Sequence, residues 1–234
     1  MKYEAILFDL DGTLLPMDND EFVKTYLGHL AKTVAPYGYT KETLIPAMWK
    51  GVASMVKNDG SRKNYDAFWD TFANLIGNHV YEHISIFDQF YQNEFHQTAV
   101  ITTPTPLAQK AVDLAHEKAD KVILATSPMF PSVAVLSRLQ WANVSPESFD
   151  LITTYENSNT CKPNPAYYLE IAHKMGLDPK NCLMIGNNAE EDILSAKSVG
   201  MDTFLLTDHL ICEGEMPETA KGNFEDLITF LQTL

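Results

Sequence analysis

Glu4-Ala5-Ile6-Leu7-Phe8-Asp9-Leu10-Asp11-Gly12-Thr13 joins a short apolar run to two carboxylates and a glycine turn. The run suits a buried β-strand, and Asp9 falls at its carboxyl end. Four more apolar runs follow, at 121–125, 149–153, 182–185 and 203–206. Helical patterns at 105–118, 130–141, 165–175 and 189–199 alternate with them. Such alternation predicts an α/β fold, a parallel sheet with helices on both faces. Ligands of these sheets sit beyond the carboxyl ends of the strands, where Asp9 is placed.

Residues 16–100 break the rhythm. They contain no convincing strand and four helical patterns, at 20–35, 40–56, 65–76 and 84–95. The breakers Pro36 and Gly38, Asn58 to Gly60, and Gly77-Asn78 part them. This predicts an all-α cap domain inserted after the first strand, spanning 16–100, with 1–15 and 101–234 as the core. The acidic stretch 209–218 is expected as a surface loop before a last helix near 224–231.

The 234 residues suffice for one large domain with a sizeable insertion. A formal charge of −14 argues against nucleic acid or an anionic membrane as partner. No stretch approaches the roughly 18 apolar residues that span a bilayer. The start Met1-Lys2-Tyr3-Glu4 does not read as a signal peptide. Cys161, Cys182 and Cys212 are too sparse for a disulfide framework, so a reducing, cytoplasmic setting is expected. A chain this acidic binds phosphate only through a local cation.

Four clusters at strand ends carry chemistry. Asp9 and Asp11 supply two carboxylates able to divide nucleophilic and proton-transfer work, although acidic turns also end strands for conformational reasons. Leu124-Ala125-Thr126-Ser127-Pro128 offers hydroxyls for phosphate oxygens, although hydroxyls also cap helices. Lys162, in Cys161-Lys162-Pro163-Asn164-Pro165, is a point charge before a Pro-initiated helix, or else a solvated lysine. Gly186-Asn187-Asn188-Ala189-Glu190-Glu191-Asp192 gathers oxygen ligands for a hard cation, or else residues suited to a helix N-terminus.

In this order, the four clusters resemble the motifs of the haloacid dehalogenase-like hydrolase superfamily over essentially the whole chain. D-x-D-G-T matches Asp9 to Thr13, the second motif ends at Thr126, K-P-x-P matches Lys162 to Pro165, and G-D-x-x-x-x-D matches Gly186 to Asp192. The resemblance implies a Rossmann-like core with a helical lid, as in the phosphoglycolate phosphatase-like branch. It also implies an Mg²⁺-dependent phosphatase acting on a small phosphate ester. Asp9 would form an aspartyl-phosphate, and Asp11 would protonate the leaving group and then activate water. Thr126, Ser127 and Lys162 would bind the phosphoryl group, while Asp9, the Asp11 carbonyl, Asn187 and Asp192 would hold the metal. Asp11 sets the chain apart from the superfamily's dehalogenases, which lack that acid, and from its phosphonate hydrolases, which place a small residue there.

Asn187 departs from the pattern, being neutral where the family places an acid. A binding or regulatory protein with weakened turnover therefore stands as an alternative; a phosphosugar mutase of the same family stands as another, since mutase and phosphatase share the core and differ in lid contacts. The protein is expected to be a monomer or homodimer. Substrate contacts are sought in the cap, where Trp49, Lys50, Lys57, Arg62, Lys63 and Tyr65 mix cations with aromatics. Residues 58–63 are expected as a loop between two cap helices, able to reach over the site or else a solvated basic loop, the plainer reading for each of its residues. Phe68, Trp69 and Phe72 read as core, and the seven histidines form no ligand-spaced cluster.

Overall fold

The computed structural model describes residues 3–234. Its sheet has six parallel strands: β1 (Tyr3–Phe8), β2 (Ala119–Leu124), β3 (Leu151–Ile152), β4 (Cys182–Gly186), β5 (Asp202–Leu206) and β6 (Ala220–Gly222). Their order is β3-β2-β1-β4-β5-β6, which places β1 in the interior between β2 and β4. Ile6 and Phe8 of β1 join the larger apolar core, and Ala5 and Leu7 join a smaller one. Alternate side chains leave opposite faces of a strand, so burial of both faces explains why β1 reads as an unbroken apolar run.

Four helices, α1 (Asn19–Val34), α2 (Lys41–Val56), α3 (Asn64–Ile76) and α4 (Ile84–Gln92), intervene between β1 and α5 (Leu107–Lys118). The chain enters and leaves this helical layer side by side. Thr103 donates its backbone N–H to Pro16 O at 2.9 Å, and Met17 bridges Thr102. The layer rests on the rest of the molecule through rings, with centroids 5.6 Å apart for Tyr26 and Phe130, 5.2 Å for Tyr65 and Tyr155, and 4.8 Å for Phe95 and Trp141. The remaining helices are α6 (Ser132–Trp141), α7 (Ala166–Met175), α8 (Ser195–Ser198) and α9 (Phe224–Thr233). No described helix is long and apolar enough to cross a membrane.

Two departures from the sequence expectations have clear causes. Strand β6 falls in a stretch with no apolar run. Its residues are half-buried or exposed at the sheet edge, and only backbone pairing to β5 defines it. The helix expected over 189–199 begins as a π-helical turn, Ala189–Leu194, in which the Asn188 side chain accepts from the N–H groups of Glu190 and Glu191.

Candidate active site

Asp9 is held by its neighbours' backbones at the end of β1. Its N–H donates to Ile185 O at 2.9 Å, while Phe8 O accepts from Ala125 N–H at 2.7 Å. The chain then turns sharply, with Thr13 and Leu15 N–H both donating to Leu10 O. Gly12 makes this turn at φ +78, and a Cβ there would lie 2.3 Å from Asn187 Nδ2. Only glycine brings the first motif this close to the fourth. Gly186 works alike, since a Cβ would lie 2.2 Å from Asp192 Oδ2.

Lys162 is 1% exposed, and its Nζ donates to Asp9 Oδ1 at 2.8 Å and to Asp192 Oδ1 at 2.6 Å. Burial alone would lower its pKa, but Asp192 and Asp9 outweigh that and hold it well above the ordinary lysine range. The ammonium therefore stays charged between two carboxylates. The other Asp192 oxygen accepts from Asn188 N–H at 2.9 Å, so both of its oxygens are already engaged. Thr126 O is fixed by Thr153 Oγ1 at 2.7 Å and Tyr167 OH at 2.9 Å, which anchors the end of β2. Both Thr126 and Ser127 face the same cavity as Asp9, and Ser127 Oγ is buried with no hydrogen-bond partner among the described residues.

Asn187 lies at the fourth corner. Thr13 Oγ1 donates to its Oδ1 at 3.0 Å, while its Nδ2 donates to His209 O at 2.6 Å. This pair of contacts turns the amide oxygen toward the first motif. The segment expected as a plain surface loop thus begins by bracing the site, and Ile211 N–H donates to Asn187 O. No group of three or more His, Cys, Asp or Glu among the described residues is arranged to hold a metal. The oxygens of Asp9 and Asn187 nevertheless face one cavity and are of the hard kind that suits Mg²⁺, which keeps several waters and needs few protein ligands.

Arg138 was not anticipated. It projects from α6, is 0% exposed, and donates through Nη1 to Asp11 Oδ2 and through Nε to Ala134 O at 3.2 Å. Its guanidinium lies 4.3 Å from the centre of the Phe130 ring. The sequence does carry a signal for it: Arg138 shares a helical stripe with the buried Ala134, Val135, Leu139 and Ala142. Burial pushes the Asp11 carboxyl up to about 6 despite the opposing pull of Arg138, and Asp9 adds to the rise. Asp11 Oδ1 has no hydrogen-bond partner among the described residues and is left for a ligand.

The cap cations do not meet the site. Lys63 Nζ donates to Asn157 O at 3.2 Å and Asn159 Oδ1 at 2.9 Å, and the exposed Arg62 pairs with Asp70. The 58–63 loop is therefore docked against residues 157–160 instead of reaching over Asp9. Of the mixed set, Trp49 alone lines the cavity. Phe68 and Trp69, read as core, are buried and also form its wall. The cavity, about 310 Å³, lies between the strand ends and the helical layer.

A model of the haloacid dehalogenase-like hydrolase family matches residues 3–200. A pyrophosphatase, PpaX, from Bacillus cereus (strain AH820) is 24% identical over 238 residues, covering 100% of this chain and 99% of its own. The fold is similar to that of a phosphatase from Thermococcus onnurineus (TM-score 0.61, 21% identity, 99% of this chain and 98% of that one). It is equally similar to that of a 2-haloacid dehalogenase from Pseudomonas syringae pv. Tomato DC3000 (TM-score 0.62, 16% identity, 99% of each). Likeness of fold at these identities does not choose between phosphate and carbon–halogen chemistry. The family match spans most of the chain, residues 3–200, and the chain belongs to the haloacid dehalogenase-like hydrolases.

Proposed function

We propose that the chain is a phosphatase that cleaves a small phosphate monoester through an aspartyl-phosphate on Asp9. The observation that carries this reading is the pairing of two carboxylates with two buried cations: Asp9 with Lys162, and Asp11 with Arg138. In the first step an Asp9 oxygen attacks phosphorus, the ester P–O bond breaks, and the leaving oxygen takes a proton from Asp11. In the second, Asp11 accepts a proton from water, the hydroxide attacks phosphorus, and the Asp9–phosphate bond breaks. An acid with a pKa near 6 can do both jobs near neutral pH. Ser127 and Thr126 line the cavity that would take the transferring oxygens, and Lys162, behind Asp9, screens it from the incoming anion. Arg138 is a positioning residue that fixes one Asp11 oxygen and leaves the other free.

Mg²⁺ fits the oxygen donors of Asp9, the Asp11 carbonyl and Asn187, and would offset the charge of the phosphoryl group. Asp192 supports that corner chiefly by holding Lys162. Residues 16–100 would act as the cap that excludes water from the cavity. Asp11 separates this reading from dehalogenation, in which no alcohol has to be protonated. The neutral Asn187 favours a second reading, a binding protein that retains the site but holds its metal weakly.

The deciding experiment is phosphate release from a panel of esters with and without Mg²⁺. Asp9→Asn is expected to lower turnover by at least about 1000-fold. Full activity in that variant would remove Asp9 as nucleophile. If the wild type releases no phosphate at high Mg²⁺, the binding-protein reading stands.

A further inference from the structure

We infer that the alcohol half of the substrate is a largely apolar group that carries no anionic substituent, seated between Asp9 and the helices α1 to α4. This rests on the phosphatase reading and names what that site accepts. The cavity wall facing the two catalytic carboxylates is built from Phe22, Met48, Phe68, Trp69, Phe87 and Tyr91. At about 310 Å³ the cavity is at the small end of ligand pockets, room for a phosphate and a modest carbon skeleton.

Charge excludes a second anionic group on the substrate. Among the described residues no Lys, Arg or His lines the cavity. Of the two buried cations behind it, Lys162 is engaged by Asp9 and Asp192, and Arg138 by Asp11 through Nη1, with its Nη2 left without a hydrogen-bond partner among the described residues. The charged side chains that line it beyond the catalytic pair are all acids, Asp88, Glu191 and Asp192. A second phosphate or carboxylate on the leaving group would therefore enter a desolvated space with no counter-ion. A sugar would bring several hydroxyls against a mainly aromatic and aliphatic wall, whose polar groups among the helices are Asn19, Asp88, the Tyr26 and Tyr91 hydroxyls and the Trp49 and Trp69 indole N–H groups.

The test compares kcat/KM of the intact protein at saturating Mg²⁺. Hexyl phosphate and 2-phenylethyl phosphate are set against 2-phosphoglycolate, inorganic pyrophosphate and glucose 6-phosphate. The apolar esters are expected to lead by at least about tenfold. An equal or better rate for any of the other three would overturn the inference. Trp49 lines the cavity yet is half exposed, so Trp49→Lys is suited to a charge test without loss of the fold. It is expected to shift the ratio of hexyl phosphate to phosphoglycolate turnover by at least about fivefold toward phosphoglycolate. An unchanged ratio counts against the inference. Absence of phosphate release from every ester would sink the phosphatase reading instead. Tryptophan fluorescence then still decides the inference, and tighter binding of phosphoglycolate than of 2-phenylethyl phosphate would defeat it.

Discussion

Asn187 holds two contacts of opposite polarity, accepting from Thr13 and donating to His209 O at 2.6 Å. Asn187→Asp would add a negative charge to the metal corner but set a carboxylate oxygen against that carbonyl. Two effects of opposite sign are expected: severalfold tighter Mg²⁺ binding, and a loss of about 1–2 kcal/mol in the metal-free protein. Thermal melts with and without Mg²⁺ measure both, and an unchanged metal titration would mean that Asn187 is not a ligand. Arg138→Met acts on the proton chemistry. It leaves a partly exposed Asp11 without its cation, at a cost of about 1–3 kcal/mol in urea unfolding. Because Arg138 favours the carboxylate form, its loss moves the Asp11 pKa further above about 6. The alkaline fall in kcat/KM, where the general acid loses its proton, should then shift to higher pH. Arg138→Lys should restore part of both properties. A pH profile that stays put in either folded variant would detach Arg138 from Asp11.

At the scale of elements, the loop before Lys162 is stapled to α7 by Glu170. Its carboxylate accepts from the N–H groups of Asn159 at 3.0 Å and Thr160 at 3.1 Å, from Thr160 Oγ1 at 2.8 Å, and from Lys174 at 2.7 Å. Burial alone would raise this carboxyl, but the bonds from Lys174 and Thr160 outweigh it and leave it below the ordinary glutamate range. A depressed folded pKa means stability that is present above the unfolded value of about 4.3 and is lost as pH falls through the folded one. Glu170→Gln should therefore cost about 1 kcal/mol at pH 7, a figure kept low because the group is still partly exposed to solvent. The variant and wild-type melting curves should converge as pH drops below about 4. A constant gap across pH would show that the charge is not what holds the loop. The same loop meets the helical layer through Asn64, whose Nδ2 reaches Pro128 O and Thr160 O, each at 3.3 Å. One buried amide thus ties α3 to the loops that carry the second and third motifs.

Across the whole molecule, ring contacts and Asn64 join the helical layer to the sheet, so the two should unfold together. A single transition is expected, with far-ultraviolet circular dichroism and the fluorescence of Trp49, Trp69 and Trp141 coinciding; an earlier loss of fluorescence alone would separate them. The parallel sheet, the inserted helices and the strand-end positions of Asp9, Thr126, Lys162 and Asp192 were all legible in the chain. Their signals are local: an apolar run, a helical period, a breaker, a motif at fixed spacing. Strand β6 was not legible, because an exposed edge strand is made by backbone pairing and needs no side-chain pattern. Arg138 lay in plain view on an apolar stripe, but its partner Asp11 is 127 positions away, and only folding brings the two together. The cap cations took the plainer of their two readings: Arg62 pairs with Asp70 eight positions on, while Lys63 meets Asn157 and Asn159, 94 and 96 positions away, so the wall that faces Asp9 is aromatic and aliphatic. Local propensity and motif spacing dictate which groups stand at the strand ends; the charge and shape of the space they face arise from long-range packing, which no local pattern encodes.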